Sequence, residues 1–269
     1  MNSLIDIGAN LTHDTFSDDV DDVLARARHQ GIVQMIVTGA SQQGSDSACR
    51  LARKYPGFLY ATAGIHPHHA SDTTLAVMSM LGELLASAEV KAVGETGLDF
   101  FRNFSPRADQ IASFEAHIEL AIETGLPMFL HERDAYPAFA EVLQSYRDQL
   151  GKLVVHCFTG EADALHAYLD LDCYIGLTGW VCDERRGSHL TPLIRDIPAD
   201  RLMLETDAPY LMPRNVQPRP KTRRNEPQYL PWICRFIADV LGRPYDEVAA
   251  STTNNARQFF DLPQIHAEN

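Results

Sequence analysis

The residues best suited to chemistry stand at the ends of short apolar runs. Val154-Val155-His156-Cys157-Phe158-Thr159-Gly160 delivers one histidine and then breaks at a glycine. Pro127-Met128-Phe129-Leu130-His131 repeats the design, Val90-Lys91-Ala92-Val93-Gly94-Glu95 ends on a carboxylate, and Arg201-Leu202-Met203-Leu204-Glu205-Thr206-Asp207 finishes on acids. Runs of this length and composition read as strands. Laid parallel in one sheet, they bring Glu95, His131, His156 and Asp207 to one face. Two imidazoles and two carboxylates form a mixed N/O ligand set, suited to Zn, Mn, Fe or Ni, and to Mg where carboxylates and water dominate. One histidine at a strand end is more often hydrogen-bonded structure than a ligand. Four ionisable groups at the same level of four runs point to metal-assisted hydrolysis.

Around this set the sequence offers accessory groups. Glu205 and Asp207 are two apart and share a face of an extended segment. Asp207, nearer the rim, is the expected base that orients or deprotonates the attacking water, and Glu205 either joins in catalysis or supports a ligand. In Gly64-Ile65-His66-Pro67-His68-His69 only His66 adjoins a strand end, so it is read as a substrate or phosphate contact, and His68 and His69 as surface groups. The stretch from Pro213 to Pro227 concentrates cations after the last strand and before a helix N-terminus, where barrels often bind phosphate. Arg223 and Arg224 are its expected phosphate contacts, with Arg133 and the Arg185-Arg186 pair adding to them. Trp180 is either a stacking platform for a base or a packing residue.

The elements that must position these groups follow from periodicity. Strands are expected at 4–8, 34–38, 59–63, 90–94, 128–130, 153–157, 174–177 and 202–205, and helices at 18–30, 105–125, 137–150, 161–171, 227–241 and 254–260. Gly31 stops the first helix, and Pro106 is expected at the first position of the second. Strand and helix alternating over about 250 residues predict an α/β fold of the (β/α)8 TIM-barrel type, one domain spanning 1–269, with a frayed tail at 264–269. A doubly wound open sheet is the runner-up, but the Gly-rich turn expected after its first strand is missing.

Composition narrows the class. With 45% hydrophobic residues the chain can bury a substantial core. No apolar run approaches the roughly 18–20 residues that span a bilayer, which predicts a protein without a membrane partner. Five scattered cysteines without a C-x-x-C pair fit reduced thiols in a cytoplasm. A net charge of −13 argues against coating nucleic acid by charge alone, though not against an enzyme that acts on it. No P-loop and no G-x-S-x-G is present.

The blocks Gly94-Glu95-Thr96-Gly97-Leu98-Asp99, His131-Glu132-Arg133-Asp134-Ala135, His156-Cys157-Phe158-Thr159-Gly160 and Glu205-Thr206-Asp207-Ala208-Pro209-Tyr210-Leu211 together resemble the TatD family of metal-dependent deoxyribonucleases, over nearly the whole chain and in the right order. The stretches from Gly179 to Gly187 and Arg223 to Pro227 look closest to its bacterial namesake branch. One departure stands out: where most of the family carries His-x-His on the first strand, this chain has Gly8 and Asn10, as that branch does. The resemblance implies a Mg2+- or Mn2+-dependent 3′ to 5′ exonuclease, acting on single-stranded DNA and on RNA, in the cytoplasm, in DNA repair. It implies one ion held by Glu95, His131 and His156, with Asp207 either ligating a second ion or serving as the base. Two other readings use the same residues: an amidohydrolase-like enzyme cleaving a small ester, lactone or amide, and a non-catalytic metal-binding barrel. No obligate protein partner is evident, and a monomer is expected.

Overall fold

In a computed structural model describing residues 3–264, eight parallel strands form one sheet in the order β1 to β8. They are β1 (Leu4–Ala9), β2 (Ile32–Val37), β3 (Leu59–Ala63), β4 (Val90–Asp99), β5 (Met128–Arg133), β6 (Leu153–Val155), β7 (Cys173–Leu177) and β8 (Leu202–Leu204). An isolated parallel bridge between Ala9 and Ala208, with Asp207 N–H donating to Gly8 O (2.8 Å) and Asn10 N–H to Ala208 O (2.7 Å), brings β8 back to β1. The sheet is thus a nearly closed barrel, and the open-sheet alternative is set aside.

Alternation along the strands sorts two cores. Ile5, Ile7, Ile36, Tyr60, Ala92, Phe129, Val154 and Met203 fill the barrel interior. Their neighbours Leu4, Met35, Leu59, Val93, Leu130, Val155 and Leu204 face outward into the layer of helices, as the two-residue period of a strand requires. The helices are α1 (Val20–His29), α2 (Gln42–Lys54), α3 (Leu75–Leu85), α4 (Arg107–Thr124), α5 (Ala138–Tyr146), α6 (Ala162–Asp170), α7 (Leu190–Leu193), α8 (Leu230–Leu241) and α9 (Tyr245–Phe260). Three of them, α2, α3 and the short α7, lie where periodicity singled out no element. Pro106 stands one place before α4, at its N-cap, instead of inside its first turn.

The last helix is much longer than expected from 254–260, and the reason is its burial. Polar Thr252, Thr253 and Asn255 break the apolar period yet are buried. Thr253 Oγ1 donates to Ser3 O (2.8 Å), and Asn255 Nδ2 donates to Ala199 O and Leu202 O (both 2.8 Å). These acceptors lie at the starts of β1 and β8, so α9 closes the N-terminal mouth, with Phe259 and Phe260 joining the interior core. The opposite mouth is left for chemistry. The expected tail beyond Gln264 lies outside the described residues.

Candidate metal centre

Simple alternation delivers three of the expected groups. His131, His156 and Glu205 each stand two residues beyond an interior residue, namely Phe129, Val154 and Met203. Glu95 needs an irregularity. Ala92 faces inward and Val93 outward, so strict alternation would turn Glu95 outward. The register of β4 against β5 shifts between Val93 and Thr96, a bulge that re-aims the carboxylate into the barrel. A similar shift in β1 between Asp6 and Ala9 turns Gly8 inward beside Glu205. A Cβ at Gly8 would press into Glu205 Oε2 and come within 3.0 Å of Phe129 Cζ, and one at Gly176 would stand 2.7 Å from Glu205 Oε1. Both glycines therefore make room for the fully buried Glu205.

The hub of the site is Glu95 Oε1. It lies 2.7 Å from His156 Nε2, 3.0 Å from His131 Nδ1 and 3.4 Å from His66 Nε2. On its other nitrogen, His156 faces Glu205 Oε2 at 3.3 Å, and Glu205 also accepts the Cys157 N–H. His131 Nε2 is 3.7 Å from Asp99 Oδ2 and has no hydrogen-bond partner although buried. His66 Nδ1 accepts from His68 N–H (3.0 Å). A neutral His66 accordingly carries its proton on Nε2 and acts there as a donor. Asp207 sits beside the cluster with Asn10 Nδ2 donating to its Oδ1 at 2.9 Å.

Burial alone would raise Glu95, but the His156 and His66 imidazoles hold it well below the usual carboxylate range. Burial would likewise strip His156 of charge, yet Glu95 and Glu205 on its two nitrogens raise it well above an ordinary histidine. His131 is raised, Asp99 and Glu95 outweighing its burial. His66 goes the other way, lowered well below the ordinary value by burial. Asp207 is pushed up to about 7, by burial first and then by Glu95 and Glu205.

This donor set fits a divalent cation. The tightest donor set is His66, Glu95 and His131, whose ligand atoms all lie within 4.8 Å of one another, and it does not include the expected His156. His156 Nε2 reaches the same Glu95 oxygen at 2.7 Å, and mixed imidazole and carboxylate donors suit such ions. A cation held at His156 Nε2, the nitrogen that faces Glu95, would leave Nδ1 to donate to Glu205, the carboxylate–histidine arrangement that fixes ligand orientation. The donor role of His66 Nε2 favours it as a contact to substrate oxygen.

Other expected residues separate into two groups. Arg133 Nη1 donates to Thr159 Oγ1 (3.1 Å), and its guanidinium lies 5.1 Å from the Trp180 ring. Arg223 lines a cavity of about 780 Å3 together with Arg185, Arg186, Arg214, Arg219 and Lys221. Arg224 is employed elsewhere: it donates to Thr15 O, to both Asp19 oxygens and to Glu226 Oε1. His69 is exposed, whereas His68, expected at the surface, is largely covered, its Nε2 2.7 Å from Asp99 Oδ2.

Periodicity missed Asp99 and the tether role of Asn10. Asp99 accepts from Phe101 N–H (3.0 Å) and Arg102 N–H (2.8 Å) while facing His68. Its only signal was its place in the Gly94–Asp99 block, two periods beyond Glu95.

The chain is similar to known proteins over nearly its whole length. The family described as TatD related DNase matches residues 5–261. The chain is 51% identical over 259 residues to "3′-5′ ssDNA/RNA exonuclease TatD" of Edwardsiella piscicida, covering 96% of this chain and 100% of that relative. It is 48% identical to the protein of the same name from Pantoea vagans, with the same coverage. The crystal structure of YJJV, a TatD homologue from Escherichia coli K12, superposes with a TM-score of 0.87 at 27% identity, covering 97% of this chain and 98% of that one. A fold of this kind implies use of a divalent metal. With a match running through β1 to α9 and all four sequence blocks, the chain belongs to the TatD-related DNase family.

Proposed function

We propose that this protein is a divalent-metal-dependent 3′ to 5′ exonuclease that removes nucleotides from single-stranded DNA and RNA. The carrying observation is the convergence at one barrel mouth of the Glu95-centred cluster with a basin of cations, in a chain whose net charge is −13. Positive charge concentrated on the β7 and β8 loops of an acidic chain suits a polyanion. The identity to relatives named as single-strand exonucleases supports the same substrate.

Glu95, His131 and His156 hold the metal, which supplies Lewis acidity at a phosphoryl oxygen when bound. Mg2+ or Mn2+ suits the two carboxylates nearby, and one ion suffices for the ligands that Gly8 and Asn10 leave. Asp207, oriented by Asn10, takes the proton of the attacking water, and its raised pKa matches it to a base working near neutrality. Glu205 keeps His156 in place from behind. His66 Nε2–H donates to a non-bridging phosphate oxygen, and Arg133 and Arg223 bind flanking phosphates. Arg224 holds the loop that presents Arg223.

No helix of the described residues is long and apolar enough to cross a membrane. Free thiols at all five cysteines support a reducing cytoplasm, and we place the enzyme there, as a monomer in DNA repair. The test uses single-stranded oligonucleotides labelled at either end, with Mg2+, Mn2+ or EDTA. Metal-dependent shortening from the 3′ end is expected. Its absence with every metal defeats the reading.

A further inference from the structure

Four side chains on the rim form an alternating row of rings and guanidinium planes. The Arg133 guanidinium carbon lies 5.2 Å from the Phe101 ring centre and 5.1 Å from the Trp180 ring centre, and that of Arg186 lies 4.5 Å from Trp180. The order is Phe101, Arg133, Trp180, Arg186. Register ties the row to the site: β4 and β5 pair Gly97 with His131 and Asp99 with Arg133, so Phe101 and Arg133 each follow a residue of the centre by two. The far end opens on the basic basin, which Arg186 itself lines.

Its members are held in place. Arg133 is tied to Thr159, Trp180 Nε1 donates to Arg186 O (3.2 Å), and Arg186 Nε donates to Asp183 Oδ2 (3.0 Å). Arg133 Nε is buried without a hydrogen-bond partner. Phe101 is 56% exposed, which no packing need explains. Flat faces of rings and guanidiniums accept nucleobases irrespective of sequence. In the basin, Arg219, Lys221 and Arg223 have no ion-pair partner among the described residues, while Arg185, Arg186 and Arg214 share the single Asp183 carboxylate.

We propose that this row is a stacking track for an unpaired polynucleotide strand: bases lie on the exposed Phe101 ring and on the outer guanidinium plane of Arg186, Arg133 and Trp180 hold the row together between them, and the phosphates run into the basin. The inference rests on the exonuclease reading for its direction, and it assigns strand selectivity to residues outside the metal centre. A base-paired strand has its faces covered by neighbouring pairs and cannot use the track.

The test compares wild type with Phe101→Ala, Trp180→Ala and the ring-conserving Trp180→Phe. Substrates are a single-stranded oligonucleotide and the same strand with abasic residues near its 3′ end, both with Mg2+ or Mn2+. Either alanine variant should raise KM for the normal strand about tenfold and leave KM for the abasic strand unchanged. Trp180→Phe should restore most of the loss. Equal KM shifts on normal and abasic strands, or none on either, overturn the track. Anisotropy of a labelled strand in EDTA separates the two readings. Ring-dependent binding without any metal-dependent cleavage sinks the exonuclease and keeps the track, and cleavage with ring-independent binding does the reverse.

Discussion

Glu95 carries more of this site than any other residue, because one of its oxygens meets three imidazoles. Glu95→Gln keeps the shape and removes the charge, so Mn2+ binding followed by calorimetry should be lost and cleavage should fall by at least about a thousandfold. Retained metal binding would move the centre elsewhere. Asn10 is a positioning residue, acting through Asp207. Asn10→Ala should lower kcat about tenfold, a loss of about 1.4 kcal/mol, with oligonucleotide KM nearly unchanged. An unchanged kcat would deny Asn10 its positioning role. At this scale the sequence was partly legible: strand-end position marked Glu95, His131 and His156, while the bond from Asn10 crosses 197 residues and left no local trace.

Among the elements, the loop after β8 divides between support and display. Asn225 Nδ2 donates to Thr206 O (2.9 Å), and Glu226 accepts from Arg26 and Arg224, so this part of the loop is strapped to β8 and α1. Arg224→Ala should cost about 2 kcal/mol of stability, the scale of hydrogen bonds to charged groups, seen in urea denaturation with KM little altered. Arg223→Ala should show the opposite split, raising KM at low salt with an unchanged midpoint. Composition alone made the two arginines equivalent; only their neighbours separate them. The glycines around Glu205 are the element's other constraint. Gly176→Ala should lower stability by about 1–3 kcal/mol through overpacking, with a fall in Tm as the readout.

For the molecule as a whole, Asp6 links the barrel seam to pH. It accepts from Thr206 N–H (2.9 Å) and Thr206 Oγ1 (2.5 Å), tying β1 to the end of β8. Burial raises its pKa to about 7 against the pull of those bonds. The native state then holds a proton that the unfolded chain releases near pH 4, so this group's contribution to stability falls as pH rises from about 4 to about 7, by up to about 1.4 kcal/mol per unit. Asp6→Asn should remove that part of the slope, measured as the difference between wild type and variant in metal-free urea denaturation at pH 5 and 7.5. An identical slope in both would place the titration elsewhere.

The sequence by itself determined the barrel, since apolar runs of strand length alternating with helices leave few other ways to bury their faces. It also determined which strand ends turn ionisable groups into the barrel, because a two-residue period projects inward from Phe129, Val154 and Met203 to His131, His156 and Glu205. The tertiary structure decided what periodicity cannot express. Bulges in β1 and β4 turned Gly8 and Glu95 inward against strict alternation. The buried hydrogen bonds of Thr253 and Asn255 made a long helix from a stretch that reads as polar. The first-strand departure took its meaning from distant partners: Gly8 leaves space for Glu205, and Asn10 binds Asp207. Local pattern reports which way a side chain leans, and only closure of the barrel brings residues from opposite ends of the chain within hydrogen-bonding reach.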